Sequence, residues 1–197
     1  MRAAFAAMFT IGAMLAAGSL APAMAGQTGQ RDAVPSADQQ AVAEFERTVA
    51  VYVQLRDKVV ASIKTVPRDA SPQELEADQA LIRSGVTSAR AGAKEGDIFR
   101  PAIQSYLRRR LVEVFKRPDG PIVRASILEE NPIGTPARVN GPYPETIPLT
   151  TMPPQLLEAL PKLPKDLEFR FVGDRLILFD SHAHLIVDFI NRALPGA

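Results

Sequence analysis

Apolar positions fall into three successive helical patterns and then into an alternating one. Val42, Phe45, Val49, Tyr52, Val59 and Ile63 recur at spacings of three and four residues or their sum. That period puts them on one face of a long helix. Ser36 precedes it as an N-cap, and Pro67 lies beyond its end. Arg56 falls in the same stripe, where it reads as a snorkelling side chain or the partner of an acidic neighbour.

The second helix starts at Ser71-Pro72-Gln73-Glu74, a capping box with proline at the first helical position. Leu75, Ile82, Val86, Ala89 and Ala93 form its predicted face, and Gly96 its predicted stop. Gly85 and Gly92 lie seven apart on a neighbouring edge, where small residues let another helix approach closely. Residues Asp97 to Arg100 connect to a third helix. Pro101 opens it, Ile103, Leu107, Leu111 and Val114 face inward, and Pro118-Asp119-Gly120-Pro121 ends it. Three amphipathic helices with short links predict a hairpin or bundle.

Residues 118 to 164 carry eleven prolines, so regular structure should give way there. Ile122 to Leu128 fits either a strand or a short helix. Asn131 to Pro153 reads as extended and irregular, and Met152 to Leu160 as a short helix opening at Pro153-Pro154. Proline has little backbone entropy to lose on folding. The segment is therefore expected to be an ordered strap lying over the helices. Beyond it, Leu167 to Phe171 alternates at period two, Gly173-Asp174 makes a two-residue turn, Arg175 to Phe179 returns, and Leu185 to Ile190 follows a turn at Asp180 to His184. That is a three-stranded antiparallel meander, which needs helices on its apolar face to be stable. The predicted class is α+β: helices over 38–117, the strap over 118–164 and the meander over 165–197.

The first 25 residues change the picture of where the protein works. Arg2 is a short positive region, Ala3 to Leu20 are apolar and small, and Ala23-Met24-Ala25 is a small-x-small cleavage site. These read as a secretory signal peptide cleaved after Ala25, followed by a polar lead-in over 26–37. No later segment reaches 18 apolar residues, so no transmembrane span is expected after cleavage. The chain has no cysteine. That excludes disulfides, thiol catalysis and cysteine-ligated metals, and it fits a bacterial periplasm better than a eukaryotic secretory route. Without Arg2, the 23 basic residues become 22, against 22 acidic ones. A charge balance near zero draws neither nucleic acid nor an anionic membrane.

Candidate chemistry is sparse. The only histidines, His182 and His184, form Asp-x-His-x-His with Asp180. In an extended strand, residues two apart share a face, so the three could meet one divalent transition metal, with Asp188 a candidate further ligand. The rival reading is a polar hairpin turn. Ser181 adjoins His182, but neighbours in a strand face opposite ways, which disfavours serine–histidine catalysis. Glu168 with Asp174, or Glu129 with Glu130, are paired carboxylates only by free choice. No nucleophile-elbow, zinc-protease or phosphate-cradling motif appears. Arg108-Arg109-Arg110 with Lys116 and Arg117 makes the third helix basic. Three consecutive helical residues span too much of the circumference to form one patch. They read as a solvated face or as contacts for an anionic partner. Tyr143, set among prolines, reads as a pin for the strap or a recognition surface.

Two segments carry a resemblance. Lys94-Glu95-Gly96-Asp97-Ile98-Phe99, and the tail Leu163-Pro164-Lys165-Asp166-Leu167-Glu168-Phe169-Arg170-Phe171-Val172-Gly173 leading to Leu185-Ile186-Val187-Asp188, resemble exported bacterial proteins of unknown function. That resemblance implies export but no catalytic residues. The tail alone is also similar to the end of RcnB-type periplasmic nickel and cobalt homeostasis proteins, which implies a metal-related role. The expected function is that of a periplasmic, non-enzymatic accessory protein that binds another envelope protein, with the first helix as the leading surface. Metal homeostasis through Asp180, His182 and His184 is the alternative, and a hydrolase of unknown type the third.

Overall fold

A computed structural model describes residues 35–63, 70–149 and 152–195. The predicted signal peptide and most of the lead-in lie outside the described residues. Five helices precede three strands: α1 (Ala37–Ser62), α2 (Pro72–Ala89), α3 (Pro101–Phe115), α4 (Gly120–Glu130), α5 (Pro154–Ala159), β1 (Leu167–Val172), β2 (Arg175–Asp180) and β3 (Leu185–Ile190). The class is α+β.

Local chemistry starts the first two helices. Ser36 accepts the backbone N–H of Gln39, whose side chain accepts the N–H of Ser36 in return. Ser71 and Glu74 repeat the arrangement at α2. These bonds to Ser71 hold the Glu74 carboxyl below its ordinary range. The cap, rather than packing, supports the start of α2: Leu75 is 50% exposed, and only Ile82 and Val86 of this helix are buried. Leu75 is thus not part of an inward face. Gly85 does serve close approach, since a Cβ there would stand 2.5 Å from Cγ1 of Val59 on α1, whereas Gly92 faces open space. Helix α2 ends at Ala89, well before Gly96. Gly96 sits instead in the connection to α3, at φ +87°.

The predicted inward faces of α1 and α3 are buried, with Phe45, Val49, Tyr52 and Arg56 on one and Ile103, Leu107, Leu111 and Val114 on the other. Ile122 to Leu128 resolves into α4, which buries Val123 and Ile127. Phe45 of α1, Phe99 of the α2–α3 connection and Phe169 of β1 stack with ring centroids 5.7 to 6.3 Å apart. Each such pair adds about 0.5–1.5 kcal/mol beyond its buried area.

The strands form an antiparallel meander in the order β1-β2-β3. Gly173 takes φ +61° in the two-residue turn, a conformation that glycine adopts without strain. Both faces of the sheet are apolar, which decides where the strap goes. Phe169, Leu176, Leu178 and Leu185 pack on the helices. Ile177, Phe179, Ile186 and Phe189 form a second core with Tyr143 and Ile147 of the strap. Only the middle of the strap, residues 137–147, covers the far face of the sheet; α4 and α5 towards its ends pack against α3, on the helix side as the sequence predicts. Strand β3 is buried at every position, so a strand with one wet face is excluded. Among the described residues no helix is long and apolar enough to cross a membrane.

Candidate functional site

The Asp180-x-His182-x-His184 turn gathers its residues for folding. One Asp180 oxygen accepts the backbone N–H groups of His182 and Ala183 at 2.9 and 3.0 Å, closing the turn on itself. The other accepts the Tyr52 hydroxyl at 2.6 Å and the Arg56 guanidinium at 3.4 Å. Asp180 is fully buried and its lone pairs are committed. His184 turns the opposite way, at φ +50°, and packs edge-on against Phe179 and Tyr143 on the strap side. The predicted metal set therefore does not fit: carboxylate and imidazole leave the sheet on different faces. Among the described residues no three His, Asp or Glu side chains are placed to hold a metal ion.

The network around Asp180 is electrostatically closed. Burial and the adjacent carboxylate push the Tyr52 phenol far above its ordinary value. Burial works against the charge of Arg56, but Asp180 and Asp57 outweigh it and hold the guanidinium above its usual value. Arg56 is thus the acid-paired residue that the sequence allowed for. Arg90 lies over the Tyr52 ring at 5.1 Å and donates to Asn140 Oδ1 at 2.7 Å and to the Val187 carbonyl at 3.2 Å.

Asp188, a candidate further ligand from sequence, is a second buried carboxylate of this kind. A register shift between Leu178 and Phe179 pairs Phe179 with Ile186 and Leu178 with Asp188, leaving Val187 as an extra residue. The bulge turns Asp188 to the helix side, where unbroken alternation would have aimed it at the strap. There it accepts the backbone N–H groups of Gly96, Ile98 and Phe99 at 2.8 to 3.0 Å. The two segments that carry the sequence resemblance meet at this carboxylate.

The other sequence candidates disperse. Arg108 donates to the Arg192 carbonyl, while Arg109 pairs with Asp38 and Arg110 with Glu113. Glu168 pairs with Arg170 on its own strand, not with Asp174. Tyr143 is buried, and its hydroxyl donates to the Pro148 carbonyl within the strap.

The sheet edges offer a feature that sequence reasoning missed. The edge of β3 is paired by the strap: Asn140 N–H donates to Ile186 O, and Ile186 N–H to Gly141 O. The edge of β1 carries no such segment. Ser181 N–H donates to Asp166 O, and continuing that ladder directs the backbone groups of Glu168, Arg170 and Val172 to β2. Those of Leu167, Phe169 and Phe171 point outward. The Leu167 N–H is taken by the Pro164 carbonyl. Among the described residues, nothing outside the ladder bonds the backbone of Phe169 or Phe171, but both residues are buried, at 3% and 5% exposure.

Two clefts open along this edge on either side of Met152. One, of about 380 Å³, runs from Phe171 to Asn131 and Leu149. The other, of about 530 Å³, is lined by Leu157, Leu163, Leu167 and Phe169, with Lys162, Glu168 and Arg170 as its charged residues. Leu149 and Leu157 are 51% and 49% exposed. A separate groove between α1 and α2 involves Val51, Leu55 and Ala89. The predicted leading surface, the apolar face of α1, is instead part of the core. No protein-family model, curated protein or solved structure matches the chain.

Proposed function

We propose that this is an exported, periplasmic, non-enzymatic protein that binds another envelope protein. Export is supported by the signal-like pattern of Arg2, the apolar run to Leu20 and Ala23-Met24-Ala25. Binding rather than catalysis is supported by where the polar groups are spent. Asp180, Asp188, Tyr52 and Arg56 are buried and bonded inside the fold. The observation that carries the reading is the pair of partly apolar clefts beside β1, whose rims leave Leu149 and Leu157 half exposed. Apolar side chains left exposed around such clefts mark a surface for another molecule.

Site-specific photocrosslinking tests the proposal. The tagged full chain, expressed in its own host, would carry a photoreactive residue at Leu157 or at Val51. A single stoichiometric envelope protein captured from either position is the expected result. Capture from neither, with the protein well expressed in the periplasm, overturns the proposal.

A further inference from the structure

We infer that the larger cleft beside β1 takes an uncharged aromatic side chain of the partner, a Trp, Tyr or Phe, as its anchor, an inference that rests on the binding function proposed above. Burial sorts the lining into layers. Leu167 and Phe169 line the cleft yet are buried, so they form its floor. Pro161 and Leu163 are half-buried walls, and Leu157 and Lys162 are the exposed rim. An apolar floor beneath a wet rim suits one bulky side chain entering from solvent. The volume of about 530 Å³ admits even an indole.

Charge disfavours the alternatives. Glu168 and Arg170 form an ion pair on their own strand, so the cleft holds both signs. A carboxylate would gain one exposed ion pair with Lys162, which contributes little, while facing Glu168 and giving up its hydration over the apolar floor. An ammonium would face Lys162 and lose the same hydration. Among neutral side chains, the lining favours a ring over an aliphatic chain. Lys162 forms no ion pair among the described residues, and its ammonium is attracted to the face of a ring but not to a leucine. Met152 adds a thioether, which contacts rings favourably. Met152 also borders the smaller cleft, but there Ser126, Glu130 and Asn131 make the lining polar. The anchor therefore has one destination.

Methyl-detected NMR of the full chain, titrated with three probes, tests the inference. N-acetyl-tryptophanamide is a neutral ring, N-acetyl-leucinamide a neutral aliphatic group, and N-acetyl-tryptophan a ring with a carboxylate. The neutral ring should move the Leu157, Leu163 and Met152 methyl signals by its ring current, leave those of Leu149 in place, and bind tighter than the other two probes by about threefold. Lys162→Gln should weaken the neutral ring by about threefold and leave the leucine amide unchanged. Leu157→Glu should abolish the shift at Leu163. Both substituted positions are exposed, so both variants fold. No shift at Leu163 with the neutral ring, equal affinity for the leucine amide, tighter binding of the carboxylate, or unchanged affinity in Leu157→Glu each overturn the inference. Partner capture from Leu157 without binding of the neutral ring would keep the binding function and discard the anchor.

Discussion

The two edges of the sheet solve the same problem in opposite ways. Strand β3 is closed by the protein's own backbone, with Asn140 and Gly141 bonded to Ile186 and the Pro142–Leu185 bridge continuing the contact. Arg90 ties that closure to α2 through Asn140 and Val187. Strand β1 has flanking clefts and outward backbone groups instead. Natural sheets blunt their edges against stray pairing. Here one edge is blunted by pairing and the other by burial, since Phe169 and Phe171 are 3% and 5% exposed and Met152 lies between the flanking clefts. Both sides therefore carry stability, and only the half-exposed rim of the β1 clefts, at Leu149 and Leu157, is where substitution should change binding and little else.

Substitutions break or sharpen this contrast to different degrees. Tyr143→Ala should cost the most, about 3–5 kcal/mol by chemical denaturation, because it empties the core between strap and sheet. Asp188→Ala should cost about 3 kcal/mol by the same measurement, since it strips the acceptor from the buried N–H groups of Ile98 and Phe99.

His184 probes the strap side more gently. Burial and the nearby Arg83 and Arg170 lower its imidazole below the ordinary 6.5, with Glu145 opposing. The unfolded chain then takes up the proton first as pH falls. Stability should be full above about pH 6.5 and decline below it. In His184→Asn, which tolerates the positive φ, that decline should shrink. An identical pH slope in the variant would remove His184 from the account. Leu157→Glu, on the cleft rim, should leave stability within about 0.5 kcal/mol while binding is lost.

Local signals explain how much of this was legible from sequence. Ser36 and Ser71 announce two helices by chemistry within one turn, and Gly173 announces a hairpin by its backbone freedom. The alternation in Leu167 to Phe171 fixed the first strand. The strap's location depends on long-range packing, yet a hint was present: Leu185 to Ile190 is apolar on both faces apart from Asp188, which calls for cover on both. The Asp180 turn misled because strand alternation was extended through a bend, where His184 adopts positive φ and leaves the face. The bulge that aims Asp188 at Gly96, Ile98 and Phe99 left no mark in the local pattern. Nor could sequence show which edge the strap would close.

Residue-by-residue amide hydrogen exchange of the full chain tests the contrast between the two edges most directly. In the free protein, the Phe169 and Phe171 amides should exchange faster than those of Arg170 and Val172, which point to β2. Equal protection of all four would contradict the account.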